Sequence, residues 1–513
     1  MTHLDSHDEV GAPAGTGHEL EKSAAPPASR SPDRTMLHFL PGDPGCAANW
    51  SRSGKVLVLI VGVLLVTNST MGSSLPGGAS AFLASYFDVS NQQQLVLPNS
   101  LYLVGYVLGP PVCSPLSETY GRRVVLIVAF AGFTIFTMAC AVAPTWPGLL
   151  VLRFLVGAFA SGPITVVGGM FADIYDDPVS RGRSVAVLIG CTTLGPVIGP
   201  VISGFASPLS WRWTFWIALI IAGASWPPLL FLPESFGPVI LARRARAIRA
   251  KGSKDTFAPI ELEAKGVKHM MTVTLVRPIL MFAEPIVLCS CLYLAFEYAI
   301  FYLFFEAYPI VFQGIYHMST GVAALALVPV AIGAILASFI SLWYDRILRR
   351  AKDRQAMWSM SEEYRRLPLA CVGGPFHVIS LFWLGWTARP DTHWIVPMLS
   401  GVSFGIGIEL TFISLLNYLT DAYEIFAASA MASSAFSRSL FACVLPLAAD
   451  PMYRRLGVPW ASSLLGFLSL VMAVVPFILI RYGEQIRKRS KFCQHLVEQK
   501  RRAAAESQME ISK

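Results

Sequence analysis

Twelve runs of about twenty apolar residues, joined mostly by short polar connectors, constrain this chain more than any other feature. They fall near residues 55–77, 95–113, 124–143, 148–171, 184–205 and 213–232, and again near 284–309, 321–343, 367–386, 394–416, 427–449 and 459–480. A helix rises about 1.5 Å per residue, so each run is long enough to cross a hydrocarbon layer of roughly 30 Å. Only 14% of the residues are charged and 54% are hydrophobic, whereas roughly a quarter are charged in a soluble domain. An ordinary soluble enzyme is excluded. The net charge of +8 does not point to nucleic acid, because the basic residues stand between apolar runs too long for any nucleic-acid module. The pattern predicts an all-α integral membrane protein with twelve transmembrane helices in two six-helix bundles.

The polar stretches divide the chain. Residues 1–50, rich in Pro, Ala, Gly, Ser and His, read as a disordered tail, 51–232 as the first bundle and 233–277 as a central aqueous loop. That loop carries Arg243, Arg244, Arg246, Arg249, Lys251, Lys254, Lys265 and Lys268. Residues 278–482 form the second bundle, and 483–513 a basic tail with Arg487, Lys488, Arg489 and Lys491. No basic segment followed by a short apolar run precedes Lys55, so the first run is expected to remain as a span. Lys and Arg collect on the cytoplasmic side of short loops. The even-numbered connectors hold Arg122, Arg123, Arg181, Arg183, Arg243, Arg244, Arg346, Arg349 and Arg350, and the odd-numbered ones only Arg212, Arg389, Arg454 and Arg455. Both termini are therefore expected in the cytoplasm, with the chain in the cell membrane. Most of the nine cysteines lie inside apolar runs as small hydrophobes, which implies no disulfide framework. Cys289 and Cys291 point apart on a helix and no histidine pair completes a metal set, so neither metal nor cofactor is expected.

An internal repeat supports two matched halves. After the second run stands SPLSETYGRR, with Ser114, Glu118, Arg122 and Arg123; after the eighth stands SLWYDRILRR, with Ser341, Asp345, Arg349 and Arg350. The first copy, with Gly121 permitting a tight turn, resembles the loop motif between the second and third spans of major facilitator transporters, especially fungal twelve-span drug:proton antiporters. Ser114 replaces the family's glycine. LLVLRFLVGAF, with Arg153 inside an apolar run, resembles the family's fourth-span arginine, associated with substrate and proton coupling. CTTLGPVIGPVISGF sets Gly195, Pro196, Gly199, Pro200 and Gly204 at near-helical spacing, which admits a close neighbour and weakens the backbone ladder. It is similar to the fifth-span motif of the family's antiporters, with Cys191 in place of the first glycine. RGRSVAVLIG, WRWTFWI, LPESFGPVILARRA, YLFFEAYPIVF and NYLTDAYEIFAASAMASSAFSRS extend the resemblance from about residue 50 to 480. It implies the major facilitator fold.

Ionisable groups inside spans must be neutralised, paired or hydrated, and so are functional candidates. Glu297, Glu306 and Glu409, with Arg153, are the candidates for proton coupling; which carboxyl carries the proton stays open. Glu118, Gly121, Arg122, Arg123, Asp173 and Arg438 are expected at cytoplasmic span ends as a charge latch between the halves. Asn68, Tyr293, Tyr298, Tyr302 and Asn417 are candidates to line a substrate cavity, although aromatic residues of such spans also commonly face lipid. The resemblance implies proton-driven efflux of small organic molecules by alternating access: drugs, antifungals, polyamines or the cell's own secondary metabolites, including polyketide toxins. The alternative is a proton-coupled importer or facilitator of a small solute such as a polyamine. Neither a nucleophile–base constellation nor a nucleotide-cradling GxxxxGK[ST] motif is present, so the chain does not read as an enzyme or an ATP-driven pump. The expected partners are a small molecule, protons and lipid, with one copy of the chain acting alone.

Overall fold

A computed structural model describes residues 35–40, 42–175, 177–251, 255–262, 276–423, 426–490 and 492–494. The tail residues 1–34 and 495–513, and Lys254, Lys265, Lys268 and Lys491, lie outside them. Among the described residues, eleven stretches are long and apolar enough to cross a membrane. The last of them, Ala427–Arg489, runs for 63 residues, about three bilayer-crossing lengths of helix. Gly457, at φ 73°, and Pro459 break it into two segments, each long enough for one crossing.

The helices that position the site are α1 (Arg52–Ser74), α2 (Gln92–Tyr106), α3 (Gly109–Tyr120), α4 (Arg122–Ala141), α5 (Trp146–Ile174), α6 (Pro178–Ala206) and α7 (Trp211–Leu230) in the first half. In the second half they are α8 (Pro285–Tyr308), α9 (Val328–Asp353), α10 (Pro368–Thr387), α11 (Ile395–Tyr423), α12 (Ala427–Val444), α13 (Ala449–Met472) and α14 (Val475–Arg489). Side chains of Ser51, Asn91, Thr145 and Ser210 cap α1, α2, α5 and α7 by accepting from backbone N–H groups two or three residues on. Those donors would otherwise be orphaned at a helix start. The second span is two helices, because Pro110 and Pro111 cannot supply the N–H groups needed to continue the ladder from α2 into α3. Gly121 turns the chain from α3 into α4 at φ 102°, a backbone conformation that favours glycine.

Each half has its own apolar core. One is built from residues between 47 and 232. The other is built from residues between 281 and 493, with Leu103, Ile189 and Val197 joining it from the first half. The helix contacts repeat as well. A Cβ on Gly157 of α5 would overlap the Tyr102 carbonyl of α2, and one on Gly405 of α11 would overlap the Val330 carbonyl of α9. Small residues thus bring the second and fourth spans, and the eighth and tenth, to near backbone contact.

A separate small unit is formed by residues 35–39 and the described part of 241–264. Thr35–Met36 pairs in parallel with Thr256–Phe257. Leu241, Ala242, Ala245 and Ala258 bury there, with Leu37, Phe39 and Ile260 packed on them. The segment expected to be a featureless tail therefore contributes a strand from Thr35 onward. Two residues of backbone pairing over an apolar cluster are enough to order it locally.

Candidate functional site

The fourth-span arginine is fully accounted for. Arg153 is 2% exposed. Its Nε donates to the Pro98 carbonyl at 3.0 Å, its Nη2 to the Gly72 and Ser73 carbonyls at 2.8 and 3.2 Å, and its guanidinium lies 4.6 Å from the Tyr102 ring centroid. The Gly72 carbonyl is free to accept because the residue four positions on is Pro76, which has no N–H to offer it. Tyr102 donates to the Ser69 carbonyl, and the Ser69 and Tyr106 hydroxyls share a 2.6 Å hydrogen bond. This polar layer reaches the second half. Ser73 of α1 and Tyr302 of α8 share a 2.6 Å hydrogen bond, and Tyr302 lies 3.3 Å from the Tyr298 hydroxyl.

Two of the three carboxyl candidates are fully buried. Glu297 of α8 and His377 of α10 are both 0% exposed, with His377 Nδ1 3.9 Å from Glu297 Oε1. No hydrogen bond of good geometry reaches either Glu297 oxygen, either His377 nitrogen or the Tyr293 hydroxyl among the described residues, and Tyr293 and Thr411 are the polar side chains beside Glu297. Such a pair can hold one proton between its members and remain neutral overall, which avoids burying an isolated charge. Glu409 of α11 is also fully buried, and its Oε2 accepts from Thr193 Oγ1 of α6 at 2.7 Å. That bond joins the two halves. Glu306 is half-buried near Asn99.

The α6 motif divides its glycines between two neighbours. Gly195 and Gly199 pack against α1 at Thr70 and Ser74, while Gly204 packs against the Thr320 carbonyl, where a Cβ would come within 2.9 Å. Pro200 leaves the Pro196 carbonyl without its helical donor, and Ser74 Oγ donates to that carbonyl at 2.7 Å. Thr320 Oγ1 donates to the Gly204 carbonyl at 3.1 Å and Ser100 Oγ to the Cys443 carbonyl at 2.8 Å. Both bonds tie the halves together, at the end of the spans away from Arg122.

At the Arg122 end the charges cluster within the first half. Arg122 donates from Nε to Asp173 at 3.1 Å, from Nη1 to Ser117 Oγ at 2.7 Å and from its backbone N–H to Glu234 at 2.8 Å. Arg123 donates its N–H to Glu234 and its Nη2 to the Leu230 carbonyl. A Cβ on Gly121 would overlap the Glu234 carboxylate. Glu118 is exposed and stands outside this cluster. Arg438 is absent from it for a geometric reason: α12 begins at Ala427, so Arg438 sits three turns along the helix, about 16 Å from its start. There its guanidinium lies 5.2 Å from the Phe412 ring centroid and 5.7 Å from that of Tyr298.

The second half repeats the charge cluster with different residues. Arg366 donates to Asp421 at 2.7 Å, joining the start of the ninth span to the end of the tenth as Arg122 and Asp173 join the third and fourth. Arg349 and Arg350 do not take this role. Leu348 stands where the first copy has Gly121, so the chain continues as helix to Asp353 and carries both arginines past the turn.

A family model described as Major Facilitator Superfamily matches residues 61–446. The chain belongs to the Major Facilitator Superfamily. It is 36% identical over 459 residues to the MFS-type transporter oryN of Aspergillus oryzae, covering 89% of each chain. It is 34% identical over 503 residues to the citrinin biosynthesis cluster MFS transporter mrr1 of Monascus ruber, covering 94% of this chain and 99% of that one. To the major facilitator superfamily multidrug transporter mdrA of Aspergillus fumigatus it is 35% identical over 460 residues, covering 88% of this chain and 75% of that one. Among solved structures it is similar to the proton:xylose symporter XylE bound to 6-bromo-6-deoxy-D-glucose, with a TM-score of 0.60 at 16% identity, covering 84% of this chain and 96% of that one. That likeness shows the fold.

Within this superfamily fold the cavity candidates separate. Tyr302 meets the first half at Ser73 with Tyr298 beside it, and Asn417 is half-buried on α11. Asn68 instead donates to Leu64 and Ser225 inside the first bundle, and Tyr293 lies in the Glu297–His377 cluster inside the second. Sequence reasoning missed His377, Thr193, Glu234 and the Arg366–Asp421 pair. His377 carried a signal: an imidazole inside PFHVISLF must find a partner or remain neutral, and the nearest unpartnered acid belongs to another span.

Proposed function

We propose that the chain exports small organic molecules from the cytoplasm in exchange for protons by alternating access. Curated relatives are named an efflux pump, a multidrug transporter and a citrinin biosynthesis cluster transporter, and proton coupling is typical of the superfamily. The single observation that carries the coupling is the Thr193–Glu409 bond. It spans the two halves, its donor stands two residues before the Gly195–Pro196 step, and its acceptor is a buried carboxyl. Protonation of Glu409 removes the charge from that acceptor, and separation of the halves exposes the carboxyl to water. Rocking and proton exchange therefore act on one atom pair. Glu297, paired with His377, is a second proton-holding group; Glu306 faces the interface, and Arg153 fixes α1, α2 and α5 around it.

With the Arg122 end in the cytoplasm, as the loop charges favour, the ties at Thr320–Gly204 and Ser100–Cys443 close the outer end. The reading places both termini inside the cell, the chain in the plasma membrane as a monomer, and the tail, bundle and loop boundaries at 50, 232, 277 and 482. Gly121, Arg122, Arg123 and Asp173 act as a hinge within the first half, held by Glu234. A latch that also uses Glu118 and Arg438 would require a rearrangement from this conformation.

The test is uptake of rhodamine 6G into inside-out vesicles, with and without an imposed pH gradient. Wild type should accumulate the dye only with the gradient, and Glu409→Gln should abolish accumulation while retaining downhill equilibration. Accumulation by Glu409→Gln equal to that of wild type would remove Glu409 from coupling. Absence of gradient-dependent movement of both rhodamine 6G and 2-naphthoate in wild type would defeat the reading.

A further inference from the structure

Arg438 is an unneutralised cation at the level of the central layer. Its sole hydrogen bond among the described residues is from Nε to the Ser434 carbonyl of its own helix, at 3.3 Å. No carboxylate among the described residues lies within ion-pair distance. The two buried acids of this region are engaged elsewhere, Glu409 with Thr193 and Glu297 opposite His377. The groups that face the guanidinium are the Tyr298 and Phe412 rings and, more distantly, the Tyr106 hydroxyl across the interface and the Cys291 thiol. None carries a formal negative charge. Contacts with ring faces offset only part of the cost of withdrawing a guanidinium from water. Arg438 is half-buried rather than sealed, and its two terminal nitrogens donate to nothing described.

We propose that Arg438 receives the anionic group of the exported solute, and that the cargo is a planar aromatic acid whose ring system lies along Tyr298 and Phe412. A guanidinium presents paired N–H donors that fit a carboxylate or the oxygens of an acidic phenol in a fork, which an amide or an amine cannot reproduce. The Tyr298 and Phe412 centroids are 5.9 Å apart, so the ion site is flanked by apolar surface that favours a flat hydrocarbon frame. An anion would complete the pairing that the chain leaves unmade. This deepens the export reading by assigning a substrate class to the same central site.

The experiment uses the full-length protein in lipid nanodiscs, with 2-naphthoate as the acid and 2-naphthamide as its neutral counterpart, titrated by calorimetry. Wild type should bind the acid at least about tenfold more tightly than the amide. Arg438→Gln should abolish that preference, and Arg438→Lys should keep part of it, with both variants melting close to wild type. Equal binding of acid and amide by wild type, no binding of the acid at millimolar concentration, or a preference that survives Arg438→Gln would each overturn the proposal. Gradient-driven uptake of rhodamine 6G and of 2-naphthoate by the same protein in sealed inside-out vesicles separates the two readings. Dye movement without acid preference defeats this inference alone, and acid preference without gradient-driven movement defeats only the coupling.

Discussion

Two arginines sit inside spans of this protein, and their surroundings are opposite. Arg153, in the first half, donates to three carbonyls supplied by two neighbouring helices and stacks on a tyrosine; Arg438, in the second, donates to one carbonyl of its own helix and otherwise meets two rings. The same side chain is a structural rivet in one place and an open valence in the other. What separates them is the backbone nearby. A proline at position 76 releases a carbonyl beside Arg153, whereas the bonds that surround Arg438 are already made.

Substituting both arginines gives the sharpest test of this contrast. Arg153→Gln should destabilise the protein by about 3–5 kcal/mol, because buried carbonyls lose their donor and the ring contact disappears. Arg438→Gln should change stability by less than about 1 kcal/mol. Thermal unfolding of the purified proteins would check this, and equal losses would erase the distinction. A smaller effect is expected at the bond that crosses the halves. Thr193→Val leaves Glu409 without its donor, costing about 1–3 kcal/mol, and the cost falls only on the conformation that makes the bond. The closed outer end should lose population by about 5- to 150-fold, read as thiol labelling of a cysteine placed at Ala324, which is buried against Gly204. Unchanged labelling would mean that the contact is not part of the rocking interface. Ser74→Ala removes the donor to the Pro196 carbonyl and should cost about 1 kcal/mol in melting experiments, with the fold retained.

A third arginine calibrates the pair in water. Arg249 of the small unit makes two 2.8 Å bonds to Glu261 and one of 2.7 Å to the Thr256 carbonyl. Those side-chain hydrogen bonds push the Glu261 carboxyl down to about 2. An unfolded carboxyl titrates at about 4.3, so the pair's contribution is complete above that pH and disappears only as the pH falls toward 2. Protection of the Leu37 amide, which donates to Phe257, should therefore be flat between pH 5 and 7 after correction for intrinsic exchange. Glu261→Gln should lower it slightly at both values. This is the smallest effect of the set, because solvent screens exposed ion pairs.

The legible parts of the site were those carried by a local pattern. Gly121–Arg122–Arg123 announced a turn at a span end, and the Gly195–Gly204 run announced close packing; the structure puts a sharp turn at the first and backbone contact at the second. Arg438 was misplaced although its run was expected at 427–449, where α12 does begin: eleven residues in, it lies near mid-span, and grouping it with the span ends disregarded that depth. Asn68 was grouped with the cavity because a polar residue in a span needs a partner, but its partner, Ser225, is 157 residues away inside the same half. The repeat also misled at one point: Arg349 and Arg350 copy Arg122 and Arg123 in spacing, yet the missing glycine changes the path of the chain.

The sequence alone determined the membrane, the helical class, the duplication and the family, since hydropathy and short motifs act along the chain and need no partner. Only the tertiary structure decided that Glu297 faces His377, that Glu409 reaches Thr193 across the halves and that Arg438 has no acid beside it among the described residues. Each of these depends on which side chains from distant spans come within a few ångströms, and that distance is set by packing between helices rather than by any pattern within one.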